Sequence, residues 1–146
     1  MALTKRGKYR YGETHADIQE ELLRYSKLNG YEVQHVAEAI CTCGERVFHL
    51  QLDENEGAAV RVCTRCSDKH PIGDSVDYLC EAELEQCTCP CGDEQFEITA
   101  GVSLYDDSED VRWIYLGCRC PACGLTAVYG DWKNEFIGYQ ALMENV

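Results

Sequence analysis

Two cysteine-rich turns decide the fold of this chain: Cys89-Pro90-Cys91-Gly92 and Cys120-Pro121-Ala122-Cys123. A shorter version precedes them, in which Cys41-Thr42-Cys43-Gly44 is followed by Cys63-Thr64-Arg65-Cys66. Two thiolates from one tight turn supply half of a tetrahedral metal site, so the other half must come from a second turn. The chain between the two turns of each unit is therefore predicted to be a β-hairpin whose ends meet at the metal.

The cysteine spacing predicts two metal sites with four ligands each. The ligands are Cys41, Cys43, Cys63 and Cys66 for the first site, and Cys89, Cys91, Cys120 and Cys123 for the second. Thiolates of this number and spacing favour zinc, so we expect two structural Zn²⁺ ions. A complete set of four protein ligands leaves no position open for water or substrate, which argues against catalytic metal.

The two units also share a sequence repeat. The pattern Cys-Gly-acid-x-x-Phe-x-aliphatic occurs at residues 43–50 and again at residues 91–98, which indicates an internal duplication. The repeat places glycine after the second cysteine of each first turn, and this favours Cys89 and Cys91 over Cys87 as ligands. Cys87 and Cys118 could replace a ligand, form a reversible disulfide or simply pack among other side chains, and packing is favoured. Cys80 is predicted to be a small buried residue.

Both units resemble zinc ribbons, the β-hairpin zinc modules found in transcription factors, ribosomal proteins and many adaptors. The resemblance covers residues 41–66 and 89–123. Zinc ribbons usually carry Cys-x-x-Cys in both halves, whereas this chain carries Cys-x-Cys in the first half of each unit.

Three helices are expected around the ribbons. A capping pattern at Thr14 predicts a helix to about Asn29, apolar spacing predicts a connecting helix from Asp74 to Gln86, and Asp131 can cap a C-terminal helix. The predicted fold class is therefore α+β, with two tandem zinc-ribbon-like antiparallel β units. The predicted organisation is a basic flexible arm (1–13), the N-terminal helix with the first ribbon (14–72), the connecting helix (73–87) and the second ribbon with the C-terminal helix (88–146).

The charge of the chain is strongly uneven. The formal net charge is −13, yet residues 1–30 carry six Lys/Arg against four Asp/Glu. A body this acidic repels phosphates and suits a basic protein partner. No apolar run is long enough to span a membrane, no signal peptide is visible, and eleven cysteines favour metal ligation in a reducing compartment, so we expect a cytoplasmic location without membrane contact.

Enzyme motifs do not fit the chain. His35-Val36-Ala37-Glu38 has the wrong spacing for a zinc deaminase, and Cys120-Pro121-Ala122-Cys123 lacks the helical setting of a redox dithiol. His70 could be an alternative ligand, but a full cysteine set makes it unnecessary.

We therefore expect a non-enzymatic, zinc-stabilised interaction protein, of which an inhibitor or immunity-type protein that masks a basic nuclease would be one form. Its acidic faces would lie at the turns around residues 53–56 and 106–110. The alternatives are a nucleic-acid-binding ribbon protein that uses the basic N-terminal arm, and a sensor whose zinc thiolates oxidise and release metal.

Overall fold

The chain folds mostly into antiparallel β-structure that forms two sheets. The computed structural model describes residues 3–146. The strands are β1 (Thr4–Arg6), β2 (Tyr9–Tyr11), β3 (His35–Glu38), β4 (Phe48–Asp53), β5 (Ala58–Cys63), β6 (Lys69–Pro71), β7 (Glu85–Gln86), β8 (Glu97–Leu104), β9 (Val111–Arg119) and β10 (Leu125–Phe136). The six-stranded sheet has the order β1-β2-β10-β9-β8-β3, and the four-stranded sheet has the order β6-β5-β4-β7.

The predicted α+β class is wrong, because only one of the three predicted helices forms at full length. That helix is α1 (Asp17–Asn29), which ends at Gly30 with a left-handed φ of 90°. The predicted connecting helix is replaced by two short 3₁₀ turns, Ser75–Asp77 and Leu79–Glu81, followed by β7. Its apolar spacing does not mark a buried face, since Val76 is 62% exposed.

The predicted C-terminal helix is also wrong. Strand β10 continues through Asp131 to Phe136 and pairs with β9, and only the short helix α2 (Tyr139–Met143) follows. Trp132 and Asn134 are buried, whereas Lys133 and Glu135 are exposed. This alternation has the two-residue period of a strand. The aromatic residues of the segment are spaced as on a helix, but pairing with β9 favours the strand.

The basic segment that we expected to be a flexible arm has a defined place in the structure. Strands β1 and β2 form a hairpin, and β2 pairs with β10 through Tyr11 opposite Leu125 and Arg10 opposite Thr126. Residues 1–2 of the expected arm lie outside the described residues.

Helix α1 packs on the six-stranded sheet through Ile18 and Leu22, which surround Tyr115 in a small cluster of buried side chains. The helix approaches closely because Gly117 has no side chain. A Cβ atom at this position would lie 2.6 Å from Cγ2 of Ile18.

The two cysteine units exchange strands with each other. Strand β3 precedes the first unit but pairs with β8 of the second, and β7 precedes the second unit but pairs with β4 of the first. Phe48 and Leu50 of the four-stranded sheet therefore share one hydrophobic core with Ile98 of the six-stranded sheet and with Phe96, which lies directly before β8. The two units are parts of one folded body.

Candidate metal centres

The structure brings the eight predicted cysteines together in two groups of four. Within each group the sulfur atoms all lie within 4.8 Å of one another. The shortest contacts in the first group are 3.5 Å between Cys41 and Cys66 and 3.6 Å between Cys43 and Cys63. Four sulfurs around a zinc ion at about 2.3 Å would be separated by about 3.8 Å, whereas disulfide-bonded sulfurs lie about 2 Å apart. The first group, called here the first centre, is therefore spaced for a tetrahedral metal ion.

The second group repeats this geometry and is called here the second centre. Its shortest contacts are 3.6 Å between Cys89 and Cys123 and 3.7 Å between Cys91 and Cys120. Both centres could hold a metal ion, and their donors are thiols alone.

The Cys-x-Cys turns have the same backbone geometry in both centres. The Gly44 N–H donates to the Cys41 carbonyl at 2.8 Å, and the Gly92 N–H donates to the Cys89 carbonyl at 2.8 Å. These glycines have φ values of 95° and 98°, a region that residues with a Cβ rarely adopt. The glycine that follows each pair thus lets the chain turn tightly beneath the two sulfurs.

The Cys-x-x-Cys turns also match, apart from one residue. The Ser67 N–H donates to the Cys63 carbonyl at 3.0 Å, and the Gly124 N–H donates to the Cys120 carbonyl at 2.7 Å. Both donors have positive φ, 65° at Ser67 and 85° at Gly124. Serine therefore occupies a left-handed position in the first centre that glycine occupies in the second.

Backbone N–H groups favour the ionised form of the cysteines, which is the form that binds metal. The N–H of Cys43 lowers the pKa of the Cys41 thiol to about 6. In the second centre, the N–H of Asp93 lowers the pKa of Cys91. In each Cys-x-Cys turn one sulfur thus has a lowered pKa, whereas the pKa of the other sulfur, Cys43 or Cys89, is raised.

The other three cysteines lie outside both centres. Cys118 is fully buried and burial raises its pKa well above the ordinary value, while burial raises the pKa of Cys87 to about 11. Cys87 occupies the place in the second unit that Ala39 occupies in the first, because each lies two residues before the first ligand. The prediction that Cys80 is buried is wrong: it is exposed in the middle of a short 3₁₀ turn, Leu79–Glu81, none of whose residues is buried.

The histidines also lie outside both centres. Nε2 of His70, the alternative ligand, lies 2.9 Å from the backbone oxygen of Asn145. His35, which lies near the first unit in sequence, stacks on Tyr139 with ring centroids 3.9 Å apart.

Sequence reasoning missed Arg61, a buried cation beside the first centre. It lies on β5 two residues before Cys63, and alternate residues of a strand face the same side. That alternation could have revealed Arg61 from the sequence, because it places the guanidinium and a ligand sulfur on one face of the strand.

A groove lined by carboxylates lies outside both metal centres, although Cys87 forms part of its wall, and is called here the acidic groove. Its volume is ≈ 330 Å³, and its charged lining residues are Asp53, Glu54, Glu83 and Glu85. Asp53 accepts the N–H of Glu83 at 2.9 Å, and this N–H lowers the Asp53 pKa. The second predicted acidic turn (106–110) does not line this groove.

Comparison with known proteins found no matching family model, no matching curated protein and no matching solved structure. Within the described residues, none of the helices has the length and apolar character needed to cross a membrane.

Proposed function

We propose that this chain is a non-enzymatic, zinc-stabilised scaffold that binds a basic protein partner through the acidic groove. The groove carries the proposal because four carboxylates line it and no Lys or Arg does so among the described residues. Such a surface attracts cationic side chains and suppresses binding of anions.

Zinc is the metal that best suits the two centres. Zinc readily accepts four thiolates in a tetrahedron, and the sulfur spacing in both centres is compatible with that arrangement. Structural zinc binding contributes roughly 10–16 kcal/mol per site, which is as large as the roughly 5–15 kcal/mol stability of an ordinary domain. Zinc at both centres would therefore dominate the stability of the fold.

A closed set of four cysteines also supports a structural role. Catalytic zinc sites keep one position for water or substrate, and each of these centres fills all four positions with protein sulfur. The metal ions then hold the turns in place and perform no chemistry.

Electrostatics support a basic partner. The formal net charge is −13, and each tetrathiolate zinc centre would add about −2 to it. The resulting field speeds encounter with a cationic partner and weakens as salt screens it.

The acidic groove combines fixed and free charges. Asp53 also accepts the N–H of Asn55 at 2.9 Å, and Glu54 accepts the N–H of Asp131 at 3.2 Å, so these two side chains are held by the protein. Glu83 and Glu85 are exposed at the rim. Fixed carboxylates lower the cost of ordering the site when a cation binds.

Fluorescence anisotropy with a labelled lysine-rich peptide tests the proposal. The variant E54Q/E83Q/E85Q should weaken binding and reduce its dependence on salt, because it removes three groove charges and keeps Asp53, whose carboxylate accepts backbone N–H groups. The matched control E13Q/E32Q/E94Q changes the net charge equally at exposed positions outside the groove. Equal loss in both triple variants would show that total charge, and not the groove, binds the peptide.

Nucleic-acid binding through the β1–β2 hairpin is a second candidate. The guanidinium of Arg6 lies 3.9 Å from the centroid of the Tyr11 ring, and the ammonium of Lys8 lies 5.2 Å from that of Tyr9. Cations interleaved with aromatic rings suit single-stranded nucleic acid. A labelled oligonucleotide in the same assay distinguishes the two candidate functions. Oligonucleotide binding that is lost in R6A/K8A and retained in E54Q/E83Q/E85Q would favour nucleic-acid binding through the hairpin.

A further inference from the structure

Arg61 is a buried cation that forms no ion pair with an Asp or Glu side chain among residues 3–146. It is 5% exposed, and its guanidinium lies 4.6 Å from the centroid of the Phe48 ring. Its Nε donates to the backbone oxygen of Val146 at 2.7 Å, but its Nη1 is buried and has no hydrogen-bond partner among the described residues.

The first centre lies next to this guanidinium. Arg61 and Cys63 lie on the same face of β5, so the guanidinium and a ligand sulfur of the first centre share that face. A buried charged group is costly when one of its hydrogen-bond donors is left without an acceptor. Ionised sulfurs of the first centre would supply a negatively charged acceptor for the unpaired Nη1.

We propose that Arg61 is a positioning residue of the first centre, where its guanidinium donates to ligand sulfur and offsets the negative charge of the four thiolates. This inference rests on metal binding as proposed above. It gives the unpaired Nη1 an acceptor. It also explains why a cation occupies a core position that an apolar side chain would otherwise fill.

The second unit places an uncharged residue at the same position. Cys118 precedes Cys120 by two residues, as Arg61 precedes Cys63, and Cys118 is fully buried. The ring of Tyr129 lies against Phe96 at a centroid distance of 4.8 Å, where Arg61 lies against Phe48 in the first unit. The two centres therefore differ in charge compensation although their ligands match.

The consequence is unequal metal binding. Groups that hydrogen-bond to metal ligands typically change metal affinity by about 10–100-fold when they are removed. Arg61→Met should therefore weaken the first centre by about 10–100-fold and leave the second centre unchanged. Arg61→Lys keeps the charge and should restore part of the loss.

The test uses the full chain loaded with cadmium-113. Each centre should give its own ¹¹³Cd resonance, and correlation with the cysteine Hβ protons assigns each resonance to its ligands. Competition with a chromophoric chelator, followed by NMR, then measures the loss of metal from each centre. Cys118→Ala is the matched control, because it alters the equivalent buried position of the second unit without changing charge.

Selective loss at the first centre in R61M, with partial rescue in R61K, supports the inference. Equal loss at both centres, or unchanged competition in R61M, overturns it. If R61M does not fold, R61K alone tests the inference, because replacing the planar guanidinium with an ammonium group should shift only the ¹¹³Cd resonance of the first centre. A wild-type chain that binds no metal would overturn the metal part of the proposed function as well, which is a separate and recognisable result.

Discussion

Phe48 and Phe96 form a reciprocal pair of backbone hydrogen bonds. The Phe48 N–H donates to the Phe96 carbonyl at 2.8 Å, and the Phe96 N–H donates to the Phe48 carbonyl at 2.7 Å. These residues occupy the same position in the two copies of the sequence repeat. The repeat units therefore meet at equivalent residues.

Neighbouring hydrogen bonds follow the same symmetry. The Ala39 N–H donates to the Ile98 carbonyl at 2.9 Å, and the Cys87 N–H donates to the Leu50 carbonyl at 2.8 Å. Leu50 and Ile98 are equivalent in the repeat, as are Ala39 and Cys87. The two units are thus related by an approximate two-fold axis and are joined by the strands that they exchange.

Removing one phenyl ring of this pair should destabilise the whole molecule. Phe96 is fully buried in the shared core, so Phe96→Ala should lower the free energy of unfolding by about 3–5 kcal/mol. Urea denaturation of the metal-loaded protein should still show one transition when followed by circular dichroism and by tryptophan fluorescence. Two separate transitions would mean that the units fold independently.

The left-handed position after each Cys-x-x-Cys turn provides a matched pair of variants. Ser67→Gly should stabilise the protein by up to about 1 kcal/mol, because a residue with a Cβ is strained at a φ of 65°. Gly124→Ser should destabilise it by more than this, since a Cβ there would also lie 2.9 Å from the Gly12 carbonyl oxygen. Thermal unfolding measures both, and a stabilising Gly124→Ser variant would refute the geometry assigned to these turns.

Helix α1 should depend on the small size of Gly117. Gly117→Ala places a methyl group against Ile18 and should cost about 1–3 kcal/mol through overpacking. Ile18→Ala removes the methyl that would clash, so the double variant should lose less stability than the sum of the single variants. Additive losses in this cycle would show that the helix does not approach the sheet as closely as described.

Tyr25 should make stability depend on pH in the alkaline range. Burial raises its pKa from 10.0 to about 12, and its hydrogen bond to Asp131 at 2.9 Å acts in the same direction. The unfolded chain therefore ionises this hydroxyl first, so its contribution is complete below pH 10 and is lost as the pH rises towards 12. The difference in denaturation midpoint between wild type and Tyr25→Phe should shrink over this interval; a constant difference would be inconsistent with the shift.

The local parts of the fold could be predicted from sequence. The cysteine turns, the hairpin strands that begin near Phe48 and Phe96, and the end of α1 at Gly30 all carry short-range signals of spacing, alternation or glycine. These signals operate within a few residues, so the structure of neighbouring segments does not override them.

The long-range pairings could not be predicted. Strand β7 contains only Glu85 and Gln86, both exposed, so its sequence carries no alternation, and its place beside β4 is set by the two-fold relation of the units. The aromatic residues of β10, Tyr129, Trp132 and Phe136, are spaced as on a helix, and pairing with the neighbouring strand β9 overrides this spacing. The grouping of the eight cysteines was anticipated, whereas the role proposed for Arg61 needed the burial and the unpaired Nη1 that only the structure gives.

The most direct test of the central claim is the zinc content of the purified, folded chain, measured by elemental mass spectrometry beside a count of reactive thiols. The account predicts two zinc ions per chain, readily titrated thiols limited to cysteines outside the two centres, and unfolding when a strong chelator removes the metal. A chain that is folded without zinc, with its cysteines oxidised in pairs, would contradict the account.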